Sequence, residues 1–480
     1  MIKKFIKEFG LLSILVVLII PQIFFQAGCA NIIPPSGGPR DSLPPVLLKS
    51  TPPDSTRNFT GNRITMTFDE FIDLQNVREN LIVSPVYKIF PDITSKLNTL
   101  SIKLRDTLEP NTTYSINFGN ALRDFNEGNV LKNFTYLFST GSKIDSLGLQ
   151  GKVILAEDGK IDSTLIVVLY RNSADTAVMK ERPRYMARLD GKGNFVFKNL
   201  PAGSFYLYAF KDAGNSFRFT DTTQLFAFAD KPVVTNQKNE PFTLYAYAAK
   251  KTVSIVAPAG IGIRRSLGGG SEKRLRFQSN IVDNKMDLLS PLLLNFEVPL
   301  RSFDSTKISF SSDSAFTPVA NYHFEKDSTD KKIELKYQWK ENTLYHLILD
   351  KGFAEDTTGK KLLRTDTVTF TTKRIEDYGK LSIQFRDLDM SKNPVLIFIQ
   401  SDVIKGSYPL NSPNFSQNLF LPGDYDLRIL EDANKNGKWD PGEFFGKHLQ
   451  PEIVRPVSRR ITVKPAFENE FEIEAPASSQ

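Results

Sequence analysis

Twelve residues near the C-terminus place oxygen-bearing side chains at the spacing that a calcium ion requires. Residues 432–443 read DANKNGKWDPGE and fit the pattern D-x-[DN]-x-[DN]-G-x5-E over all twelve positions. A Ca²⁺ ion takes roughly six to eight hard oxygen ligands from such a loop, and a glycine at the sixth position makes the sharp turn. The predicted ligands are the side chains of Asp432, Asn434, Asn436, Asp440 and Glu443 and the main-chain carbonyl of Lys438.

The flanks of this loop differ from those of an EF-hand, because strand-like residues 426–430 precede it and Pro451 follows it, with no helical pattern on either side. We therefore predict a calcium loop carried by a β-sandwich, with a Kd on the order of 10⁻⁴ to 10⁻³ M. The alternative is a polar turn that binds no ion, and the sequence leaves both open. The related stretch around Asp212 lacks the spacing and is predicted to hold no site.

Few residues could serve catalysis or transition-metal binding. The 480 residues include one cysteine, Cys29, and three histidines, His323, His346 and His448. These numbers exclude cysteine zinc clusters and HExxH sites, which need several such residues at fixed spacing. The glycine triplet 268–270 lies among arginines but fits neither a P-loop nor a dinucleotide-binding pattern, so we predict a linker there and no nucleic-acid partner.

Residues 1–28 have the features of a secretory signal peptide. Three lysines precede an apolar run from residue 11 to residue 20, which is too short to span a membrane. The sequence QAGC at 26–29 follows, and small residues before a cysteine at this place resemble the lipobox of bacterial lipoproteins. The resemblance implies cleavage before Cys29, a covalent lipid on Cys29 and a membrane as partner through that lipid. The alternative is an uncleaved anchor with a buried free thiol.

Residues 29–43 are predicted to form a proline-rich tether behind the acylated cysteine. Its prolines favour extended polyproline II chain, and ~3.1 Å per residue gives a reach on the order of 50 Å. The passage CANIIPPSGGPRDSLPP resembles envelope lipoproteins of the Bacteroidetes type. In that family acidic residues after the cysteine accompany surface export, whereas Ala30 and Asn31 stand here. The resemblance implies an outer-membrane lipoprotein that faces the periplasm rather than the cell surface.

Beyond residue 43 the sequence predicts an all-β chain. Short alternating runs are cut by Pro, Gly, Asn and Asp at intervals of roughly 8 to 12 residues, which is typical of β-sandwiches. The 37 phenylalanines and 15 tyrosines also favour strands. A length of 480 residues leaves room for three or four such domains.

One type of module occurs twice. ITMTFD at 64–69 has a counterpart in LLLNFE at 292–297, and NTTYSI at 111–116 has one in NTLYHL at 342–347. These segments resemble the SbsA-type bacterial Ig-like domain, which implies two Ig-like sandwiches, A1 at residues 44–141 and A2 at residues 285–374. The tyrosines of the second pair of segments are expected to be core or corner residues that bond back to the chain.

A second type of module alternates with the first. LQGKV at 149–153, LDGKGNFVF at 189–197 and NLPAGSFYL at 199–207 resemble the transthyretin-like or carboxypeptidase-regulatory-like sandwich, which implies a module B1 at 146–248. LPGDYDL at 421–427 echoes its hairpin and implies a module B2 at 378–475, and residues 249–284 are left as a linker or connecting strand. The predicted fold class is therefore tandem Ig-like and transthyretin-like β-sandwiches in A-B-A-B order after a lipoprotein signal peptide.

These features predict a protein that is not an enzyme. We expect a non-catalytic, lipid-anchored rod that acts as a binding, adhesion or scaffold module of the cell envelope, with an envelope protein or a glycan as partner. The expected cofactors are Ca²⁺ and the covalent lipid on Cys29. Two alternatives stay open: an accessory subunit of an outer-membrane transport or assembly complex, and a carbohydrate-active enzyme whose acidic site assembles between modules.

Overall fold

The computed structural model describes residues 40–212, 214, 216–236, 241–249 and 274–477. The predicted signal peptide, Cys29 and most of the tether and linker lie outside these residues. The regular secondary structure of the described chain is almost entirely β-strand, which confirms the all-β fold class. In this part of the chain no helix is long and apolar enough to cross a membrane. The chain divides into two compact units, of which the first ends at Ile144 and the second begins at Asp145.

A1 forms a sandwich because its apolar side chains alternate along the strands. Ile64, Met66 and Phe68 are fully buried, whereas the residues between them face outward. Its strands are β1 (Leu47–Thr51), β2 (Arg63–Phe68), β3 (Ile72–Leu74), β4 (Ile82–Ser84), β5 (Asp92–Lys96), β6 (Thr99–Lys103), β7 (Thr113–Asn117), β8 (Leu122–Asp124) and β9 (Thr135–Ser139), with one helical turn, α1 (Val77–Asn80). The sheets have the orders β1-β2-β6-β5, β4-β7-β9 and β3-β8.

B1 follows as a sandwich of two sheets. Its strands are β10 (Leu147–Leu155), β11 (Leu165–Tyr170), β12 (Tyr185–Arg188), β13 (Asn194–Leu200), β14 (Ser204–Lys211), β15 (Phe226–Phe228), β16 (Val233–Val234) and β17 (Phe242–Ala246), with the helical turn α2 (Ala177–Lys180). The sheet orders are β13-β10-β17 and β12-β11-β14-β15, and β16 pairs with β14. Strand β11 pairs with β12 and β14 and is buried along its whole length, so both of its faces are covered.

A2 repeats the topology of A1. Its strands are β18 (Phe277–Ser279), β19 (Lys285–Met286), β20 (Leu292–Phe296), β21 (Leu300–Phe303), β22 (Ile308–Ser312), β23 (Thr317–Pro318), β24 (His323–Lys326), β25 (Lys332–Lys336), β26 (Leu344–Leu349), β27 (Ala354–Asp356) and β28 (Asp366–Thr372), with the 3₁₀ turn Ser305–Lys307. The order β18-β20-β25-β24 matches β1-β2-β6-β5 of A1, and β21-β27 matches β3-β8. The third sheet, β19-β28-β26-β22-β23, contains the counterpart of β9-β7-β4 and has β19 and β23 added at its edges. Because β18 and Leu275 belong to this sandwich and its core, A2 extends into the segment predicted as a linker or connecting strand.

B2 repeats the topology of B1. Its strands are β29 (Gly379–Arg386), β30 (Pro394–Gln400), β31 (Val403–Pro409), β32 (Asn414–Phe420), β33 (Gly423–Glu431), β34 (Ile453–Pro456), β35 (Ile461–Val463) and β36 (Glu468–Glu474), with 3₁₀ turns at Ile375–Asp377 and Met390–Lys392. The orders β32-β29-β36 and β31-β30-β33-β34, with β35 paired to β33, match those of B1 strand for strand. The described chain therefore has the A-B-A-B order.

Two side-chain features recur in A1 and A2. The hydroxyl of Tyr114 accepts a hydrogen bond from the backbone N–H of Glu109 at 2.8 Å, and that of Tyr345 accepts one from the N–H of Lys340 at 3.4 Å. Both tyrosines are buried, as expected for corner residues of a sandwich. In the two-stranded sheets, a buried aspartate at the end of β8 or of β27 accepts hydrogen bonds from the backbone of the following turn.

Candidate functional site

The loop predicted to bind calcium, residues 432–443, connects β33 to the segment before β34 and is called the ion loop below. Asp432 follows the last residue of β33 and its side chain is only 2% exposed. Its carboxylate accepts hydrogen bonds from the backbone N–H groups of Gly437, at 2.7 Å, and Asn436, at 3.3 Å. Gly437 has φ +74, which a residue with a side chain rarely adopts. The carboxylate of Asp432 thus shapes the sharp turn.

Asp440 lies opposite, at the other end of the turn. Its carboxylate accepts hydrogen bonds from the side-chain amides of Asn434, at 2.5 Å, and Asn436, at 2.6 Å. The backbone N–H of Lys438 donates to the side-chain oxygen of Asn436 at 2.7 Å. The structure therefore brings Asp432, Asn434, Asn436, Lys438 and Asp440 together. A cation in the loop would require the two amides to present their oxygens instead of their N–H groups.

Glu443, the predicted twelfth-position ligand, has its carboxylate outside this group. Its side chain is half exposed and accepts a hydrogen bond from the ammonium of Lys447 at 2.8 Å. Its backbone forms an antiparallel bridge with Leu449, with N–O distances of 2.8 and 2.9 Å. As a ligand of the loop, Glu443 stays a prediction.

Glu452 was not among the predicted residues, and its carboxylate bonds to the ion loop, whereas the carboxylate of Glu443 pairs with Lys447. The backbone N–H groups of Ala433, at 2.8 Å, and Asp440, at 3.0 Å, donate to its two oxygens. Burial raises the pKa of Glu452 above its ordinary value, backbone hydrogen bonds oppose this, and the negative charge of Asp432 raises it further. Motif spacing offered no signal for this residue, because it lies beyond the twelve positions.

In the corresponding connection of B1, Asp212 makes backbone contacts like those of Asp432. The carboxylate of Asp212 accepts hydrogen bonds from the backbone N–H groups of Ser216 and Phe217, each at 3.1 Å. These donors lie four and five residues after the aspartate, as Asn436 and Gly437 do after Asp432. The aspartate therefore has a turn-forming role in both modules.

Residues 444–454, which follow the ion loop and are called the arm below, contact B1. Phe444 is 4% exposed, and its ring centroid lies 4.9 Å from that of Phe228, 5.1 Å from Phe226 and 5.5 Å from Tyr208. Burial raises the pKa of Tyr247 to about 12, opposed by a backbone hydrogen bond with Phe444. The aromatic edge of B1 is therefore covered by a residue of B2.

Polar contacts complete the junction between B1 and B2. The Nε2 atom of His448 lies 2.9 Å from both carboxylate oxygens of Asp175. The amide of Gln450 donates to the backbone oxygen of Phe228 at 3.0 Å. The backbone N–H of Val454 donates to the backbone oxygen of Ala156 at 2.8 Å. These two sandwiches thus contact each other directly, although A2 separates them in the sequence.

A2 and B2 are joined by a different contact. Tyr378 is 2% exposed, and its hydroxyl donates to the carboxylate of Asp287 at 2.6 Å and accepts from the backbone N–H of Leu288 at 2.7 Å. Burial, followed by the hydrogen bond to Asp287, raises the pKa of Tyr378. B2 therefore contacts both other sandwiches of the second unit.

The remaining histidines are apart from the ion loop. His323 is exposed and lies 3.4 Å from Glu325. His346 is 8% exposed, its Nδ1 lies 3.0 Å from the hydroxyl of Thr369, and its ring stacks on Phe316 at 4.4 Å. No described residue lies within hydrogen-bonding distance of its Nε2. Sequence reasoning gave no role to this buried imidazole.

A further group of carboxylates lies in A1. Oxygen atoms of Glu70, Asp124 and Glu127 are all within 4.8 Å of one another. Burial and then the negative charge of Asp124 raise the pKa of Glu70. Asp124 is fully buried, and its carboxylate accepts backbone hydrogen bonds from Glu127, Gly128 and Asn129. This aspartate is therefore already used by its own turn.

The chain resembles several solved bacterial surface structures at low similarity. The N-terminal part of the bacterial S-layer protein SbsC is 17% identical with a TM-score of 0.16, and the match covers 43% of this chain and 44% of that one. The Bacillus anthracis TIE protein is 12% identical with a TM-score of 0.16, covering 92% and 75%. The major pilin subunit BcpA of Bacillus cereus is 10% identical with a TM-score of 0.17, covering 69% and 99%.

These scores are too low to carry an argument about function. No curated protein matches the sequence. A family comparison does identify one module: residues 41–140, which include nearly all of A1, match the bacterial Ig-like domain.

Proposed function

We propose that the protein is a non-catalytic, lipid-anchored component of the bacterial cell envelope that acts as a binding, adhesion or scaffold module. The observation that carries this proposal is the contact between B1 and B2 through the arm. Phe444, His448 and Gln450 lie in a loop, where an enzyme would place residues that face substrate. Here they hold two sandwiches together. With the Tyr378 contact to A2, this arrangement suits a spacer or scaffold.

The anchor in this proposal rests on the lipobox-like sequence at 26–29. A covalent lipid on Cys29 would hold the protein at the outer membrane, and the residues after the cysteine favour the periplasmic face. The test is metabolic acyl labelling of the wild type and the Cys29→Ala variant in the native host, followed by protease treatment of intact cells. We expect acyl labelling of the wild type but not of Cys29→Ala. We also expect the protein of intact cells to be protected from external protease. Equal labelling of the two proteins contradicts the anchor, and digestion by external protease contradicts the periplasmic orientation.

We also propose that the ion loop binds Ca²⁺ weakly and so stiffens the edge of B2. The carboxylates of Asp432 and Asp440 and the side-chain amides of Asn434 and Asn436 lie in one turn, which supports the proposal, and the amides would have to turn their oxygens toward the ion. Glu443 would complete the set only by leaving Lys447, which costs little because both side chains are at least half exposed.

Calcium binding can be followed by the fluorescence of Trp439, which lies inside the loop. A Trp339→Phe background removes the other tryptophan of the sequence. We expect a saturable change at sub-millimolar to millimolar Ca²⁺, lost in Asp440→Asn and weakened in Glu443→Gln. A wild-type signal that is unaffected up to 10-fold above about 1 mM Ca²⁺ refutes the calcium proposal but leaves the scaffold proposal standing.

A further inference from the structure

We propose that Glu452 couples the fold of the ion loop to the docking of the arm on B1, so that loosening one loosens the other. Glu452 acts here as a positioning residue. The coupling runs through the protein itself and does not depend on calcium.

On the loop side, Glu452 bonds to both ends of the turn. Its two carboxylate oxygens accept the N–H groups of Ala433 and Asp440. Its main chain adds two bonds: its N–H donates to the carbonyl of Asp440 at 3.1 Å, and its carbonyl accepts the indole N–H of Trp439 at 2.7 Å. One residue therefore bonds to the start of the ion loop and to Trp439 and Asp440 in its second half.

On the arm side, Glu452 lies two residues before the backbone contact with B1. Val454 in β34 donates to the carbonyl of Ala156, and β34 starts at Ile453. The chain between Glu452 and Val454 is extended, so a displacement of Glu452 also displaces Val454. At the other end of the arm, the bridge between Glu443 and Leu449 holds Phe444 next to the loop.

The charge of Glu452 supports a positioning role. Glu452 is partly buried, and removing part of a carboxylate from water carries a desolvation cost. Its hydrogen bonds to Ala433 and Asp440 offset this cost only while the loop is folded. Disorder in the loop would leave a partly buried carboxylate without donors, and the chain there would then move toward water.

The first test measures hydrogen exchange in the full mature chain. The N–H of Gly437 donates to the carboxylate of Asp432 within the loop, so its exchange reports loop opening. We expect Phe444→Ala, which removes the ring docked on B1, to speed exchange at Gly437 at least tenfold, because coupling between sites is reciprocal. Leu449→Ala is the matched control, since this arm residue is 56% exposed. Unchanged exchange at Gly437 in Phe444→Ala overturns the proposal.

The second test is a double-mutant cycle on the unfolding of the second unit. Glu452→Ala and Phe444→Ala are combined in one variant. We expect this double variant to be about as stable as the less stable single variant, because each substitution alone already releases the arm from B1. The control cycle pairs Phe444→Ala with Glu468→Gln, which changes a surface ion pair with Lys380 in the other sheet of B2, and is expected to be additive. Additive losses in the first cycle overturn the coupling. Glu452→Gln and Phe444→Leu replace any alanine variant that does not fold.

Discussion

Asp124→Asn offers a sharp test of how the Ig-like modules are stabilised. The carboxylate of Asp124 is fully buried at the end of β8 and accepts three backbone hydrogen bonds. The donors are the N–H groups of Glu127, at 2.6 Å, Gly128, at 2.8 Å, and Asn129, at 2.7 Å. The first two donate to Oδ1 and the third to Oδ2. Asparagine has nearly the same shape, so the substitution changes charge and donor pattern with little change in volume.

The size of the effect follows from these bonds. The side-chain oxygen of an asparagine can accept the two hydrogen bonds that Oδ1 of Asp124 accepts, but without the negative charge. The NH₂ group of the asparagine would then face the N–H of Asn129. One buried donor is then left unpaired, which costs about 1 to 3 kcal/mol, and the two retained bonds weaken as the charge is lost. Relief of repulsion from the carboxylates of Glu70 and Glu127 offsets part of this. We expect a net loss of about 2 to 4 kcal/mol in the free energy of unfolding of A1.

The same contacts predict a pH dependence. Burial alone would raise the pKa of Asp124, but the backbone hydrogen bonds from Gly128, Asn129 and Glu127 outweigh it, and the pKa lies below its ordinary value of 3.8. A depressed pKa in the folded state means that the unfolded chain binds the proton more tightly. The stabilisation is therefore fully present above about pH 4 and is lost as the pH falls through the folded-state pKa. In the Asp124→Asn variant, the free energy of unfolding of A1 should lack this acid-sensitive contribution.

Hydrogen exchange followed by mass spectrometry measures this effect, because it separates peptides of the first unit from those of the second. Asp92→Asn is the matched control, since Asp92 pairs with Arg105 at the surface and should contribute below about 1 kcal/mol. Asp356→Asn should reproduce the loss in A2, where the aspartate is 3% exposed and bonds to its own turn. If Asp124→Asn costs no more than Asp92→Asn, the turn does not depend on its carboxylate and the reasoning is wrong.

Two further predictions concern single side chains of the second unit. Tyr378→Phe should destabilise the A2–B2 junction by about 1 to 3 kcal/mol, because the N–H of Leu288 loses its acceptor; a calorimetric transition of unchanged midpoint would argue against this. Phe316→Ala should raise the reactivity of His346 toward diethyl pyrocarbonate, because the ring of Phe316 stacks on the imidazole. The exposed His323 gives the internal reference rate, and equal His346 reactivity with and without Phe316 would show that the ring does not protect it.

The repeats made much of the fold predictable from the sequence. Paired segments such as 64–69 and 292–297 carry alternating burial, and alternation fixes both the strand and the face that enters the core. The corner tyrosines followed from the same alignment. The start of A2 was harder to predict, because β18 has only three residues and follows a glycine-rich stretch that is typical of linkers.

The site was less predictable, because spacing fixes positions along the chain and not the direction of a side chain. Glu443 satisfies the twelfth position of the motif, yet its carboxylate pairs with Lys447, and Glu452 reaches the loop from outside the motif. The contact between B1 and B2 was invisible for a similar reason. Phe444 is an aromatic residue in a loop, and nothing local tells whether such a ring packs in its own module or on another.

The two B modules also show which variant can decide the calcium question. Asp212 and Asp432 each accept backbone N–H groups four and five residues on, so the aspartate forms the turn whether or not the rest of the loop is present. Replacing Asp432 would therefore abolish ion binding even if its only role were to fold the turn. Asp440 accepts side-chain amides of the loop and no backbone N–H group that shapes the sharp turn. Loss of calcium binding in Asp440→Asn, with exchange at Gly437 unchanged in the absence of calcium, would assign Asp440 to the ion rather than to the fold.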